Sequence, residues 1–369
     1  MTIDPDRLVA TLHRDLMARQ WAALAPAFDS ALAGHADRMA ASLVDGVHML
    51  QTYADAEGFD GETFQALVEG DARLEFMFSL PRSAGLGGRI AEALATGLHG
   101  ATNMQTRQLG QWIYVFIRLL DGLIDNAPDL LTESDRSDLQ REIPSALTRD
   151  GPQPLRWADT THRHPATALL WRTALFWTEA VRESAAWRRD PTIRNAVAQA
   201  AREALAAEFR TPCLRFSRTG SDLSAIGRDL DSKTRTTTWC MALMPVCVDG
   251  SPAECDLDQY RNSMDALGDY LEWIDDIQDL VEDANADSWN VPLIEFAARN
   301  RFAAHSTYGD TPSRLGRALS DAPTTEALIA IGVGRLSRAV SALEAAGLDC
   351  PPLRCLLGDL TATSLDGPK

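Results

Sequence analysis

The sequence is short of basic side chains. Its 35 lysine and arginine residues stand against 52 aspartate and glutamate residues, which gives a net charge of −17 and a pI of about 4.8. A protein that binds nucleic acid through its phosphates needs a concentrated basic surface. The composition therefore argues against nucleic acid as a partner, and any polyanionic ligand must be held locally, for example through a metal ion.

Long apolar runs and paired cysteines are also missing. No segment has the ~20 consecutive apolar residues that span a bilayer. The N-terminal residues MTIDPDRLVATLHRDL contain no basic segment followed by an apolar core, so we expect no secretory signal. Six cysteines, at 213, 240, 247, 255, 350 and 355, lack the CxxC spacing of zinc sites and redox dithiols. This pattern predicts the reducing cytoplasm as the compartment.

Alternating β-branched stretches joined by hairpin turns are almost absent, and helical periodicity dominates. The sequence therefore predicts an all-α fold, and we expect one domain over 1–369 because no linker is long or polar enough to separate two. Breaks are expected at 81–88, 150–157, 218–221, 248–254 and 350–352. Helices are predicted at 5–25, 27–57, 61–80, 86–126 with a break near 102, 133–148, 165–186, 190–208, 221–248, 256–284, 290–302, 311–321 and 323–347.

An acidic cluster interrupts an otherwise apolar helix in the stretch DYLEWIDDIQDLVED at 269–283. At about 3.6 residues per turn, Asp275, Asp279 and Asp283 stack along one stripe, and Asp276 lies about 100° away. Like charges at this spacing repel each other, so removing one should not lower the stability of the metal-free protein. A solvated acidic face is one interpretation. The surrounding apolar residues favour the other, a site for a cation.

A second carboxylate pair ends the apolar stretch QLGQWIYVFIRLLDGLIDNAPDLL at 108–131. Asp121 and Asp125, four residues apart, should project from one helix face. Arg118 lies one turn earlier, and pairing with Asp121 is the structural alternative. Two such pairs can face each other across a helix bundle and hold metal. Oxygen ligands without histidine favour Mg²⁺, or Mn²⁺, over iron.

Basic residues lie between the two acidic regions, in GRDLDSKTRTTTWCMAL at 227–243. Arg228, Lys233 and Arg235 fall within two helical turns, and Thr234 adds a hydroxyl donor, a combination that suits a phosphate. The alternative is a solvated basic patch paired with neighbouring aspartates. Together with the carboxylates and an apolar interior, these residues indicate a site that holds a diphosphate at the mouth of an apolar pocket.

These motifs resemble the isoprenoid synthase family, which includes trans-prenyl diphosphate synthases and class I terpene cyclases. The run from Gly268 through Asp275, Asp276 and Asp279 is similar to the second aspartate-rich motif of the prenyl synthases. Asn290, Pro292 and Leu293 resemble its continuation, and Lys233-Thr234 resembles the family's Lys-Thr dipeptide on the diphosphate. The resemblance covers roughly 105–300. It implies a single large antiparallel helical bundle with a central apolar cavity, in which helices within 1–80 form an added layer.

The sequence departs from the prenyl synthases at several points. Asp121 and Asp125 form only a reduced first motif, without the Arg-Arg pair that follows it in the family. The Gly-Lys-x-x-Arg element that grips isopentenyl diphosphate is not recognisable, since 81–89 offers only Arg82 and Arg89. Glu272 replaces a glutamine. The usual cyclase signature of Asn/Asp, Ser/Thr and Glu is also absent.

The resemblance implies a class IB type terpene synthase that ionises an allylic prenyl diphosphate of C15–C25, with C20 favoured, and cyclises or quenches the carbocation. Its expected Mg²⁺ ligands are Asp121, Asp125, Asp275, Asp276 and Asp279. Lys233, Thr234, Arg228 and Arg235 are expected on the diphosphate. Residues near the motifs are expected to line the cavity: Phe116, Tyr114, Phe78, Phe76, Trp239 and Glu272.

Two other functions remain open at this stage. One is a prenyltransferase that adds isopentenyl diphosphate or another acceptor to the same cation. The other is a non-catalytic helical partner subunit of a synthase. A homodimer is also open, because neither quaternary state nor product skeleton can be predicted from these motifs.

Overall fold

The structure, a computed structural model, describes residues 4–28, 31–57, 61–148, 163–210, 222–250, 256–299 and 311–365. These residues form helices and no strand, so the all-α prediction is confirmed. The α-helices are α1 (Pro5–Leu24), α2 (His35–Glu57), α3 (Gly61–Gly70), α4 (Leu80–His99), α5 (Met104–Asn126), α6 (Glu133–Thr148), α7 (Pro165–Glu183), α8 (Ala185–Arg189), α9 (Pro191–Arg210), α10 (Leu223–Asp249), α11 (Leu257–Asn285), α12 (Val291–Ala298), α13 (Thr311–Ser320), α14 (Ala322–Ala345) and α15 (Pro351–Leu365).

The chain divides into two compact units. The first comprises Met1–Ala33, Arg210–Arg235 and Tyr260–Lys369, and the second comprises Gly34–Phe209 and Thr236–Gln259. In the first unit, α1 packs against α13 and α14. In the second, α4 packs against both α2 and α5. The prediction of one domain over 1–369 stays a prediction.

Helix α4 begins where a break was predicted, so the break at 81–88 is wrong. The glycines of this segment allow neighbouring helices to approach closely. A Cβ atom on Gly85 would lie 1.8 Å from the carbonyl oxygen of Ser42 on α2, and one on Gly87 would lie 2.3 Å from that of Gly110 on α5. The glycine-rich sequence therefore serves helix packing inside the second unit.

Helix α15 was not predicted, because the prolines of CPP at 350–352 indicated a break. Pro351 instead occupies the first helical position, where its missing N–H has no intrahelical partner to lose. Leu353, Leu356 and Leu357 bury the inner face of this helix. The breaks predicted at 150–157 and 218–221, and most of 248–254, lie outside the described residues.

Helix α12 shows how local sequence fixes a boundary close to the predicted site. Asn290 caps it by accepting a hydrogen bond from the backbone N–H of Leu293 at 3.0 Å, and Pro292 lies in the first turn. None of the described helices is both long and apolar enough to cross a membrane.

Candidate diphosphate and metal site

The α5 carboxylates lie at the end of a helix whose other face is buried. Asp121 is partly buried and Asp125 is exposed. Arg118 Nη1 lies 3.3 Å from Asp121 Oδ2, so the ion pair considered as an alternative does form. The Arg118 side chain is 42% exposed, and surface pairs of this kind contribute only ~0–1 kcal/mol. The pair therefore adds little to stability, and the Arg118 charge is opposed by a neighbouring carboxylate.

Two of the aromatic residues expected in the cavity lie in a 3-10 helix that precedes α4, Ala72–Ser79. The Phe76 ring packs against α5, because a Cβ atom on Gly122 would lie 2.2 Å from it. Phe76 thus contacts α5 next to Asp121. Phe78 is 56% exposed, so the structure places it at the surface and not in an apolar interior.

The α11 carboxylates differ sharply in environment. Asp275 is exposed, Asp279 is partly buried and Asp276 is only 8% exposed. The Val291 N–H donates a hydrogen bond to Asp276 Oδ2 at 2.7 Å. The Asn290 side-chain amide donates to the backbone carbonyl of Asp276 at 3.2 Å. The acidic motif is therefore tied to the first turn of α12, which explains why Asn290 follows it in the sequence.

Two buried carboxyls on α11 have raised pKa values. Burial raises the pKa of Glu272 to about 8, although the Lys233 ammonium acts in the opposite direction. Burial, followed by the nearby Glu272, raises the pKa of Asp276 well above its ordinary value. Both groups therefore hold a proton more tightly in the folded protein than in water. A cation placed beside them would favour their ionised forms.

Lys233 and Thr234 meet Glu272 where α10 packs on α11. The Thr234 hydroxyl donates a hydrogen bond to the Glu272 carboxylate. Gly268 permits this close packing, since a Cβ atom there would lie 2.9 Å from Arg235 Cα. The first unit thus brings the Lys-Thr dipeptide to the acidic motif. The composition also makes Lys233 conspicuous, because the sequence contains two lysines, Lys233 and Lys369.

The two arginines of the basic stretch have different surroundings. Arg228 is exposed. The Arg235 guanidinium pairs with Asp269, with Nη2 at 2.8 Å from Oδ2, and this hydrogen bonding raises the pKa of Arg235. Its guanidinium is thus held by an aspartate, and binding of the diphosphate by Arg235 stays a prediction.

Sequence reasoning missed Arg335, which α14 contributes to the same region. Its Nη1 donates to the backbone carbonyl of Asp269 at 2.7 Å, and its guanidinium lies 5.6 Å from the Trp273 ring. The Arg335 charge, like that of Lys233, partly opposes the effect of burial, which raises the pKa of Glu272. No spacing links it to the motifs, since it lies 66 residues beyond Asp269.

An apolar cavity lies within the second unit, between α5, α7, α9 and α10. Phe116, predicted as a cavity residue, lines it and stacks on Trp177 with 5.7 Å between ring centroids. Tyr114 instead packs beside Gly87 of α4, and Trp239 is buried. The complete lining is Ile113, Phe116, Ile117, Leu120, Trp177, Ala201, Ala204, Leu205, Glu208, Thr237 and Cys240.

The expected metal ligands on α11 suit Mg²⁺, because they are carboxylate oxygens. Asp275 and Asp279 are also accessible to solvent, and Mg²⁺ keeps several water ligands when it binds protein. Among the described residues, no three His, Cys, Asp or Glu side chains converge as a metal site made by protein alone. That Asp121 and Asp125 face the α11 carboxylates stays a prediction.

Two solved structures with a similar fold are prenyl diphosphate synthases by name. Geranylgeranyl pyrophosphate synthase from Lactobacillus brevis matches with a TM-score of 0.53 and 15% identity, over 90% of this chain and 96% of that one. Farnesyl diphosphate synthase from T. brucei matches with a TM-score of 0.52 and 16% identity, over 87% of this chain and 100% of that one. No protein-family model and no curated protein matches the sequence. The chain therefore shares the all-α fold of these two solved structures.

Proposed function

We propose that this protein is an Mg²⁺-dependent class I terpene synthase that ionises an allylic prenyl diphosphate of C15–C25, with C20 favoured. The observation that carries the proposal is the position of Lys233 and Thr234 beside the Glu272 carboxyl of α11, within the acidic motif and on a fold shared with prenyl diphosphate synthases. In the reaction, the allylic C–O bond breaks and its electron pair leaves on the diphosphate oxygen. The carbocation then cyclises, loses a proton or takes up water.

The carboxylates Asp121, Asp125, Asp275, Asp276 and Asp279 would hold Mg²⁺, or Mn²⁺ in its place. The bound metal would neutralise the diphosphate as it leaves. Lys233 would bind a diphosphate oxygen through its ammonium group, and Arg228 would add a second positive charge. Apolar walls such as Phe116 and Trp177 would keep water from the cation, and aromatic faces can stabilise it by ~0.5–2 kcal/mol each.

Charge placement supports a cyclase over a prenyltransferase. A transferase must also hold a second diphosphate, and attraction by exposed charges extends only ~8–10 Å at ordinary salt. Arg118, the arginine nearest Asp121 in the sequence, pairs with that carboxylate. Arg107 on the same helix contacts Asp45 and lies 3.8 Å from Glu92. Neither offers an unopposed charge to a second diphosphate.

A prenyltransferase is the second candidate, because the matched structures carry the names of prenyl diphosphate synthases. A non-catalytic partner subunit is the third. One assay separates the three: the purified protein is incubated with Mg²⁺ and C10, C15, C20 or C25 allylic diphosphate, with and without isopentenyl diphosphate. We expect a hydrocarbon or terpene alcohol without isopentenyl diphosphate. A chain-elongated diphosphate would identify a transferase, and no turnover under any condition would leave the partner subunit.

A further inference from the structure

A cluster of four charged side chains joins α10, α11 and α14 within the first unit. Arg335 Nη2 lies 3.3 Å from Asp231 Oδ1, and Arg335 Nη1 donates to the backbone carbonyl of Asp269 at 2.7 Å. Arg235 Nη2 lies 2.8 Å from Asp269 Oδ2 and 3.8 Å from Asp231 Oδ2. Two arginines and two aspartates meet here, so their formal charges cancel.

The Arg335 guanidinium is mostly buried in this cluster. Its side chain is 11% exposed, whereas that of Asp231 is 24% exposed. The guanidinium also lies 5.6 Å from the centroid of the Trp273 ring. Because its Nη atoms donate to Asp231 and to the backbone of Asp269, Arg335 is placed to act through these groups and not as a ligand of the diphosphate.

The cluster lies close to groups that are proposed to bind the diphosphate. Asp231 precedes Lys233 by two residues on α10. The charges of Asp231 and Lys233 both act on the buried Glu272 carboxyl, and the Arg335 charge acts on it too. A carboxylate in these surroundings repels a diphosphate unless a cation neutralises it, because partly buried charges are screened less than exposed ones.

We propose that Arg335 is a positioning residue of the diphosphate site, which neutralises Asp231 and so prevents this carboxylate from repelling the diphosphate. The inference rests on the proposed function, because it requires a diphosphate beside Lys233. If the ion pair served stability alone, removal of either partner would break the same contact and have a similar effect. Neutralisation instead predicts effects of opposite sign, since loss of Arg335 makes the site more negative and loss of the Asp231 charge makes it less negative.

Calorimetry with Mg²⁺ and inorganic diphosphate tests this proposal on the whole chain. Arg335→Met keeps an unbranched apolar side chain against Trp273, and it should weaken diphosphate binding at least about fivefold. Asp231→Asn should tighten binding at least about twofold. The variant with both changes should return to within about twofold of the wild type, because the two charge effects oppose each other. Arg338→Met, an exposed change on α14, should bind as the wild type.

Weaker binding in both single variants would overturn the proposal, and so would a double variant that binds no better than Arg335→Met. The sign of the Asp231→Asn effect decides where Arg335→Met does not fold. An unchanged affinity in Arg335→Met would also contradict the role of this arginine.

A second measurement needs no diphosphate. The sequence contains two lysines, so reductive methylation with ¹³C-formaldehyde gives two lysine NMR signals, and Lys369→Arg assigns that of Lys233. Arg335→Met should raise the measured pKa of Lys233 by at least about 0.3, and Asp231→Asn should lower it, because a nearby negative charge favours the ammonium form. A wild type that binds no diphosphate would contradict the proposed function. The Lys233 titration then decides separately whether Arg335 neutralises Asp231, and shifts of the same sign, or none, would show that it does not.

Discussion

The backbone N–H of Val291 donates a hydrogen bond to the carboxylate of Asp276 at 2.7 Å. A residue that the sequence assigns to a metal thus also fixes the start of α12. The acidic motif alone suggested that removing one repelling carboxylate would not lower the stability of the metal-free protein. At Asp276 that expectation overlooks a hydrogen bond. The buried Asp276 carboxylate accepts from the N–H of Val291, which lies in the first turn of α12 and has no acceptor within the helix.

We predict that Asp276→Ala lowers the free energy of unfolding of the metal-free protein by ~1–3 kcal/mol. The change leaves the buried Val291 N–H without its acceptor, and an unsatisfied buried donor costs about this much. Urea denaturation followed by circular dichroism measures the difference.

Two variants separate this hydrogen bond from charge repulsion. Asp276→Asn keeps an acceptor oxygen and should stay within ~1 kcal/mol of the wild type. Asp275→Ala removes an exposed carboxylate and should leave stability unchanged. If Asp276→Ala proves as stable as the wild type, the bond to Val291 has no net effect on stability.

The raised pKa of Glu272 predicts a pH dependence of the metal-free protein. Its pKa is about 8 when folded, against 4.5 for the unperturbed group. Between these values the folded state binds more protons than the unfolded state, so stability falls as the pH rises from about 4.5 to about 8. Asp276 acts in the same direction. Denaturation midpoints measured across this range in EDTA should therefore decrease.

Glu272→Gln should flatten this dependence, because it removes the titrating group that contributes to it. The matched control is Glu282→Gln, an exposed change on the same helix, which should retain the wild-type profile. A wild-type protein whose stability rises over this range would show that the carboxyl groups of α11 are not protonated on folding.

The sequence predicts most helices because apolar periodicity and capping residues such as Asn290 are local signals. It misplaces the start of α4, because a glycine that ends a helix looks the same as one that lets α2 or α5 approach. Gly85 and Gly87 are of the second kind, and only the packing partner reveals this. Proline is equally ambiguous, since Pro351 starts α15 instead of excluding a helix.

Gly268, in the acidic motif, allows α10 to pack closely on α11, and its substitution by alanine tests this role. Gly268→Ala places a Cβ atom 2.9 Å from Arg235 Cα, so α10 must move away from α11. We expect a loss of ~1–3 kcal/mol in the free energy of unfolding. Gly227→Ala is the matched control on α10: its nearest neighbour is Ile294 Cδ1 at 3.7 Å, so it should gain ~0.5–1 kcal/mol. Equal effects of the two substitutions would contradict the close approach.

Lys233 should couple diphosphate binding to stability. We expect Mg²⁺ and inorganic diphosphate together to raise the melting temperature, since a ligand at ~100 times its dissociation constant stabilises by ~2.7 kcal/mol. Lys233→Ala should reduce this shift, because it removes the ammonium group beside Glu272. Arg338→Ala, an exposed cation on α14, should keep the full shift. A full shift in Lys233→Ala would place the diphosphate elsewhere.

The sequence predicts the site residues on α10 and α11, but it does not predict a residue that joins them from another helix. Lys233, Thr234 and the α11 carboxyls stand in recognisable order, and the structure brings them together. Arg335 carries no such order, because it reaches this region from α14 through tertiary packing.

The most direct test of the central claim is the rate of diphosphate release from C15, C20 and C25 allylic diphosphates. We predict release by the wild-type protein with Mg²⁺, abolished by EDTA and lowered at least about 100-fold in Asp275→Ala, as expected when a group that stabilises developing charge is lost. Glu282→Gln should retain the wild-type rate. No release from any of these substrates, or a wild-type rate in Asp275→Ala, would contradict the claim that the carboxylates of α11 serve metal-dependent ionisation.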